Sequence, residues 1–259
     1  MRNFFFILFK EVRSYFNSPV AFVVITIFTI LTGYYFYMIF ASFSTISFQA
    51  ATNPALAKQY GGLNATEFVV RPFFGIVSVV MLIILPMITM RVFSEEKKSG
   101  TMELLLTFPV TDSEAILGKF AGCMSIFIVM LSLSFPCIFL VEVFGELEWG
   151  VVATGYLGLV FMGAAFISLG VFMSSLTENQ IVAAVLSFAS LLLLYMVGFS
   201  AGFAGESVAK VLEYISFTFH FQTFAKGVID TSDLIYYVLF TTLFLFLSMR
   251  SLESKRWRG

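Results

Sequence analysis

One histidine, His220, two cysteines, Cys123 and Cys137, and 16 carboxylates are the side chains that could bind a metal, attack a substrate or relay a proton. Their spacing encodes no familiar catalytic unit. There is no HExxH pair to build a zinc hydrolase helix and no GxxxxGK[ST] loop to cradle the phosphates of ATP. His220 stands between Phe219 and Phe221, a setting more usual for an interfacial side chain than for a metal ligand. Cys123 and Cys137 lie about 21 Å apart if both are on one helix, too far to bridge, and read as small buried hydrophobes. What the chain concentrates is charge. Residues 91–120, RVFSEEKKSGTMELLLTFPVTDSEAILGKF, hold nine charged side chains of a total of 15 basic and 16 acidic.

The elements that must position this segment are membrane spans. With 59% hydrophobic and 12% charged side chains over 259 residues, and a mean hydropathy of +0.95, the chain lacks the polar surface to clothe a soluble globule. Six charge-free runs stand out: 20–41, 72–90, 120–141, 151–177, 179–205 and 234–249. A helix of about 20 residues crosses roughly 30 Å of hydrocarbon, so the first five suffice and the sixteen-residue last one needs its flanks. The expected fold is an all-α integral membrane protein with six transmembrane helices in one domain over 19–250, an amphipathic segment at 1–18 and a basic tail at 251–259.

Sidedness follows from the basic residues. Eleven Lys and Arg belong to the first segment, the 91–119 loop and the last residues, against four, Lys58, Arg71, Lys210 and Lys226, on the other side. Both termini are therefore expected in the cytoplasm. Lys10, Glu11 and Arg13 interrupt the apolar core a secretory signal needs, so the first segment is expected to stay attached. The net charge of −1 points to no nucleic-acid partner. The absence of ionisable groups from the six apolar cores argues against a proton-coupled carrier or an intramembrane protease.

In the first segment Phe5, Phe9, Val12 and Phe16 recur at helical spacing opposite Lys10, Arg13, Ser14 and Asn17, the pattern of a helix lying on a membrane surface. Ser18 and Pro19 supply an N-cap and a preset first position for the first span. Residues 42–71 contain Asn53, Pro54, Gly61 and Gly62 and read as an external loop rather than one helix. Residues 206–233 read as external helices dipping part-way into the outer leaflet. Gly118 and Gly122 form a GxxxG, and Ala164 with Ser168 and Ala183 with Ser187 are looser small pairs; all suit close packing within the bundle.

Inside the charged segment, Gly100 permits a bend, and residues 101–107 give a helix of one to two turns with Met102, Leu105 and Leu106 opposite Glu103. Phe108 and Pro109 break it. Thr111, three residues before Glu114, forms a capping box that restarts a helix into the third span. Short helix, break and capped helix make a rigid knob, although a plain solvated connector has the same composition.

This segment resembles the signature between the second and third spans of ABC-2 type permeases, the membrane subunits of one class of ABC transporters. FKEVRSYFNSPVAFVV is similar to their N-terminal elbow helix, SSLTENQIVAAVLSF to the turn joining spans four and five, and LEYISFTFHFQTFAKGVIDTSDLIYYVLF to the external re-entrant helices before span six. Within the family the words resemble most the gliding-motility-associated permeases, with the permease of the nitrous-oxide-reductase copper-maturation system nearby. The resemblance implies a six-span subunit of a bacterial plasma membrane that pairs with a second permease chain, identical or related, and docks two cytosolic ABC ATPase subunits. ATP and Mg would sit on those subunits; this chain would bind no cofactor and catalyse nothing. Its coupling helix would lie within 99–117, with Glu95, Glu96, Gly100, Thr101, Glu103, Pro109, Thr111, Asp112 and Glu114 at the ATPase interface, and the elbow residues Lys10, Arg13 and Asn17 and the turn 177–180 near the same surface. Three functions stay open: ATP-driven export, a mechanical transmitter acting on an extracytoplasmic accessory protein with nothing crossing, and a passive channel or lipid scramblase.

Overall fold

A computed structural model describes residues 2–53, 64–101, 111–203 and 205–256. Among them every regular element is helical. α1 covers Arg2–Asn17 and α2 Pro19–Thr52; a π-helical turn, Thr66–Val70, leads into α3, Arg71–Thr89, and α4 follows at Arg91–Lys98. α5 is Asp112–Phe144, α6 Trp149–Leu176 and α7 Gln180–Ser200. α8, Glu206–Ile215, and α9, Phe217–Ala225, precede α10, Thr231–Arg256. Among the described residues six helices are long and apolar enough to cross a membrane, the last extending over Thr231–Ser254 and so gaining the length its apolar core lacks. Residues 102–107 of the expected short helix, Glu103 among them, and the break at Pro109 fall outside the described residues, as do Pro54, Gly61 and Gly62.

Local chemistry explains where the helices start. The Ser18 hydroxyl accepts from the Val20 amide at 3.4 Å, with Pro19 in the first turn, so α2 begins where α1 ends. One expectation is corrected here. Residues 42–52, read as part of an external loop, continue α2 as far as Thr52. The hydroxyls of Ser42 and Thr45 each bond the carbonyl one turn back at 2.9 Å, so polar side chains there satisfy themselves on the helix and do not end it.

α6 is the axis of the bundle. It packs on α3, α5, α7, α9 and α10, and 67% of its most apolar stretch is buried, against 17% for α7 and for α10. Four glycines let the neighbours in. A Cβ at Gly155 would strike Phe74, at Gly158 Phe224, at Gly163 Phe127 and at Gly170 Thr89, so rings and a threonine from α3, α5 and α9 press on bare α6 backbone. This arrangement leaves the charged segment at one end of the bundle, with α1, α4, the first turns of α5 and the last turn of α6.

Candidate functional site at the charged end of the bundle

α1 has three faces rather than the two that its sequence pattern suggests. Phe5, Phe9 and Phe16 are exposed along one, and Lys10, Arg13 and Asn17, with Phe6 among them, along another. The third, Ile7 and Glu11 with Tyr15 below them, packs against α5. The approach is close because the facing residues are Gly118 and Gly122: a Cβ at 118 would lie 2.7 Å from Ile7 and one at 122 would lie 2.8 Å from the Cβ of Glu11. Tyr15 donates to the Ile88 carbonyl at 3.2 Å and touches the Cys123 sulfur at 3.3 Å. Burial first, and then the neighbouring thiol, hold its phenol well above the usual tyrosine range, so the proton for that bond is always present.

Between the two glycines stands Lys119, only 2% exposed. Its ammonium donates to Glu11 Oε1 at 2.9 Å, to Glu96 Oε1 at 2.8 Å and to the Val92 carbonyl at 3.0 Å, and it lies 5.3 Å from the Phe93 ring centroid. Three donors therefore meet three acceptors from two other helices, which is the full capacity of an ammonium group. Lys10 adds a second cation at 3.4 Å from Glu96, so two positive and two negative groups balance at the junction of α1, α4 and α5. A crevice of about 360 Å³ opens beside them, walled by Ser14, Ser18, Arg91 and Glu95. Glu96, expected among the residues of the ATPase interface, turns its Oε1 toward Lys119 and Lys10.

The remaining residues singled out from sequence divide in two. Glu95 is exposed and pairs with Arg91 at 3.8 Å, while Arg91 also donates to Ser18 at 3.1 Å. α4 stops at Ser99, and Gly100 follows with φ of 69°, the left-handed conformation that favours glycine. Thr101 shares a hydroxyl contact with Ser99 at 2.8 Å. Thr111 restarts the chain: its hydroxyl accepts from the Glu114 amide at 3.3 Å and the Glu114 carboxylate accepts from the Thr111 amide at 3.3 Å, with Asp112 in the first turn. Asn3 of α1 reaches Glu114 at 3.4 Å. The turn after α6 lies at this same end, because Ser174 accepts from the amides of Phe93 and Ser94 at 3.1 and 3.2 Å and Lys97 donates to the Ser175 carbonyl.

The family model of the ABC-2 family transporter proteins matches residues 5–255, nearly the whole chain. The chain belongs to the ABC-2 transporter family. A search of curated proteins finds no match. As an ABC-2 family member it is the membrane component of a transporter.

The opposite end of this ABC-2 protein has a polar cluster of its own. His220, expected at an interface, is buried: Nδ1 lies 2.6 Å from Asp233 Oδ1, Nε2 lies 3.1 Å from the Tyr214 carbonyl, and the ring stacks on Tyr236 at 4.0 Å between centroids. α9 also presses Phe217, Phe221 and Phe224 into the core, whereas α8 buries no residue. A cavity of about 850 Å³ on that side is framed by Phe40, Phe43 and Phe144 with Glu146 and Glu148. Among the described residues no group of three His, Cys, Asp or Glu could hold a metal ion. Glu11, Lys119 and Asp233 are the partners that sequence reading passed over. The signals were there for Glu11 and Lys119: Ile7, Glu11 and Tyr15 recur every four residues, and a lysine sits inside a GxxxG at the start of an apolar run.

Proposed function

We propose that this ABC-2 protein is the permease subunit that couples ATP hydrolysis on separate cytosolic ABC ATPase subunits to movement of its six spans, in a bacterial plasma membrane with both termini cytoplasmic. The observation that carries the reading is the build of the charged end. α4 ends just before the left-handed Gly100 and α5 restarts at a capping box on Thr111, and both stems are held to α1 through Lys119. A connector with such rigid stems transmits displacement instead of absorbing it. Glu95, Gly100, Thr101, Glu103, Pro109, Thr111, Asp112 and Glu114 form the ATPase interface in this reading; α1 is the elbow, its exposed phenylalanines in the cytoplasmic leaflet and Lys10, Arg13 and Asn17 toward the headgroups. A second permease chain completes the unit, and ATP and Mg reside on the partners.

Spans without charge in their apolar cores suit a hydrophobic cargo. A second reading draws on the far end, where the His220–Asp233 pair and the phenylalanines of α9 fix an external helix rigidly to α6 and α10. There the same cycle works on an extracytoplasmic accessory protein and nothing crosses, in keeping with the likeness to gliding-type permeases. Purification of the tagged full-length chain from cells co-expressing its neighbouring ATPase gene tests the core claim. Co-purification of an active ATPase, weakened by Asp112→Lys or Glu95→Lys, is expected. A chain that purifies alone and lets lipid or solute pass without ATP would establish the passive channel or scramblase instead. Flux of a hydrophobic cargo in reconstituted vesicles separates export from transmission.

A further inference from the structure

We infer that Lys119 is a positioning residue: it locks α1, α4 and the first turns of α5 into one rigid lever, so that force applied between Gly100 and Thr111 reaches three helices at once. The inference rests on the ATPase-coupled reading and adds to it the part that carries the force. The segment 101–111 leaves α4 and enters α5, so an untied junction would let the two stems splay and the push would be lost as local bending. Lys119 closes that gap. From α5 it reaches across to the Glu96 carboxylate and the Val92 carbonyl of α4 at 2.8 and 3.0 Å, and to Glu11 of α1 at 2.9 Å.

Burial makes the tie directional. An apolar cluster of the same volume would hold the helices at least as strongly, because removing charges from water costs more than most buried pairs return. An apolar contact, however, slides with little penalty. Here any shear that separates α4 from α5 draws the ammonium of Lys119, buried to 2% exposure, away from the acceptors that satisfy it, and Glu96 Oε2 already lacks a hydrogen-bond partner among the described residues. The glycine pair has its purpose in the same device. Gly118 and Gly122 flank Lys119 and admit α1 closely enough for Glu11 to reach it.

The test uses the full-length chain with its ATPase subunits in lipid nanodiscs. Both native cysteines are replaced by alanine, and spin labels are placed at the exposed positions Gln49→Cys and Glu206→Cys at the far end. The measurements are ATPase rate and the change in label distance on trapping with ATP and vanadate. In the double variant Lys119→Met, Glu11→Gln, which leaves Glu96 its pair with Lys10, hydrolysis is expected to stay within about twofold of the parent while the fraction of molecules showing the distance change falls by about half or more. Glu11→Gln alone keeps an acceptor and a folded junction and loses only the charge that ties α1, so it serves if the double variant fails to fold, with a smaller loss in the same direction. A parent complex with no nucleotide-dependent distance change overturns the coupled reading itself. A parent that responds, with variants that respond as fully, overturns the role of Lys119 and leaves the coupled reading standing.

Discussion

At position 122 a single methyl group decides whether α1 can seat on α5. Helix propensity alone makes Gly122→Ala stabilising by about 1 kcal/mol. The clash with the Cβ of Glu11, 2.8 Å from the new atom, opposes it, and overpacking of this kind costs about 1–3 kcal/mol. Gly122→Ala should therefore lower the thermal midpoint in detergent, while Gly33→Ala, where a Cβ meets nothing within 4 Å, should leave it level or raise it. At the other end, the contact between His220 Nε2 and a carbonyl requires an N–H there, because a carbonyl only accepts; a second proton must then lie between Nδ1 and Asp233 Oδ1. Asp233→Ala strands that arrangement and should cost about 1–3 kcal/mol. His220→Phe in the same chain keeps a ring on Tyr236 and should recover most of the loss, which a double-mutant cycle of unfolding midpoints would show.

At the scale of elements, what the sequence reveals is what is local. The Ser18–Pro19 start of α2 and the Thr111 to Glu114 capping box are visible because donor and acceptor lie within three residues of each other. Thr111→Ala should cost about 1 kcal/mol, seen as faster amide exchange over 112–115 with little change elsewhere. The continuation of α2 to Thr52 was hidden for a different reason: the turn formers Asn53, Pro54, Gly61 and Gly62 give the whole of 42–71 the look of a loop, whereas the hydroxyls of Ser42 and Thr45 before them bond backward and leave the helix whole. Most of the site was hidden too. Glu11 and Lys119 are 108 residues apart, and no periodicity within either helix announces which side chain it will meet. A two-face description of α1, apolar Phe5, Phe9, Val12 and Phe16 against polar Lys10, Arg13, Ser14 and Asn17, leaves out Glu11 and with it the third side, which packs on α5.

For the molecule as a whole, composition and the run of six apolar segments gave the architecture, because the bilayer admits few alternatives for a chain this greasy. The orientation rests on the bias of basic residues and can be checked directly. Single cysteines at Arg13 or Lys98 should react with a membrane-impermeant maleimide only when the cell interior is opened, and cysteines at Glu146 or Glu206 should react in intact spheroplasts. The reverse pattern would put the Lys119 junction out of reach of any cytosolic ATPase.

The four bare glycines of α6 bear on how such a body can change shape. A rod notched at Gly155, Gly158, Gly163 and Gly170, with a knob from a neighbour seated in every notch, can neither spin nor ratchet by a turn without ejecting all of them together. Any opening is then expected to hinge on the outer rods α2 and α7, whose apolar stretches are little buried, swinging about a spindle that stays still.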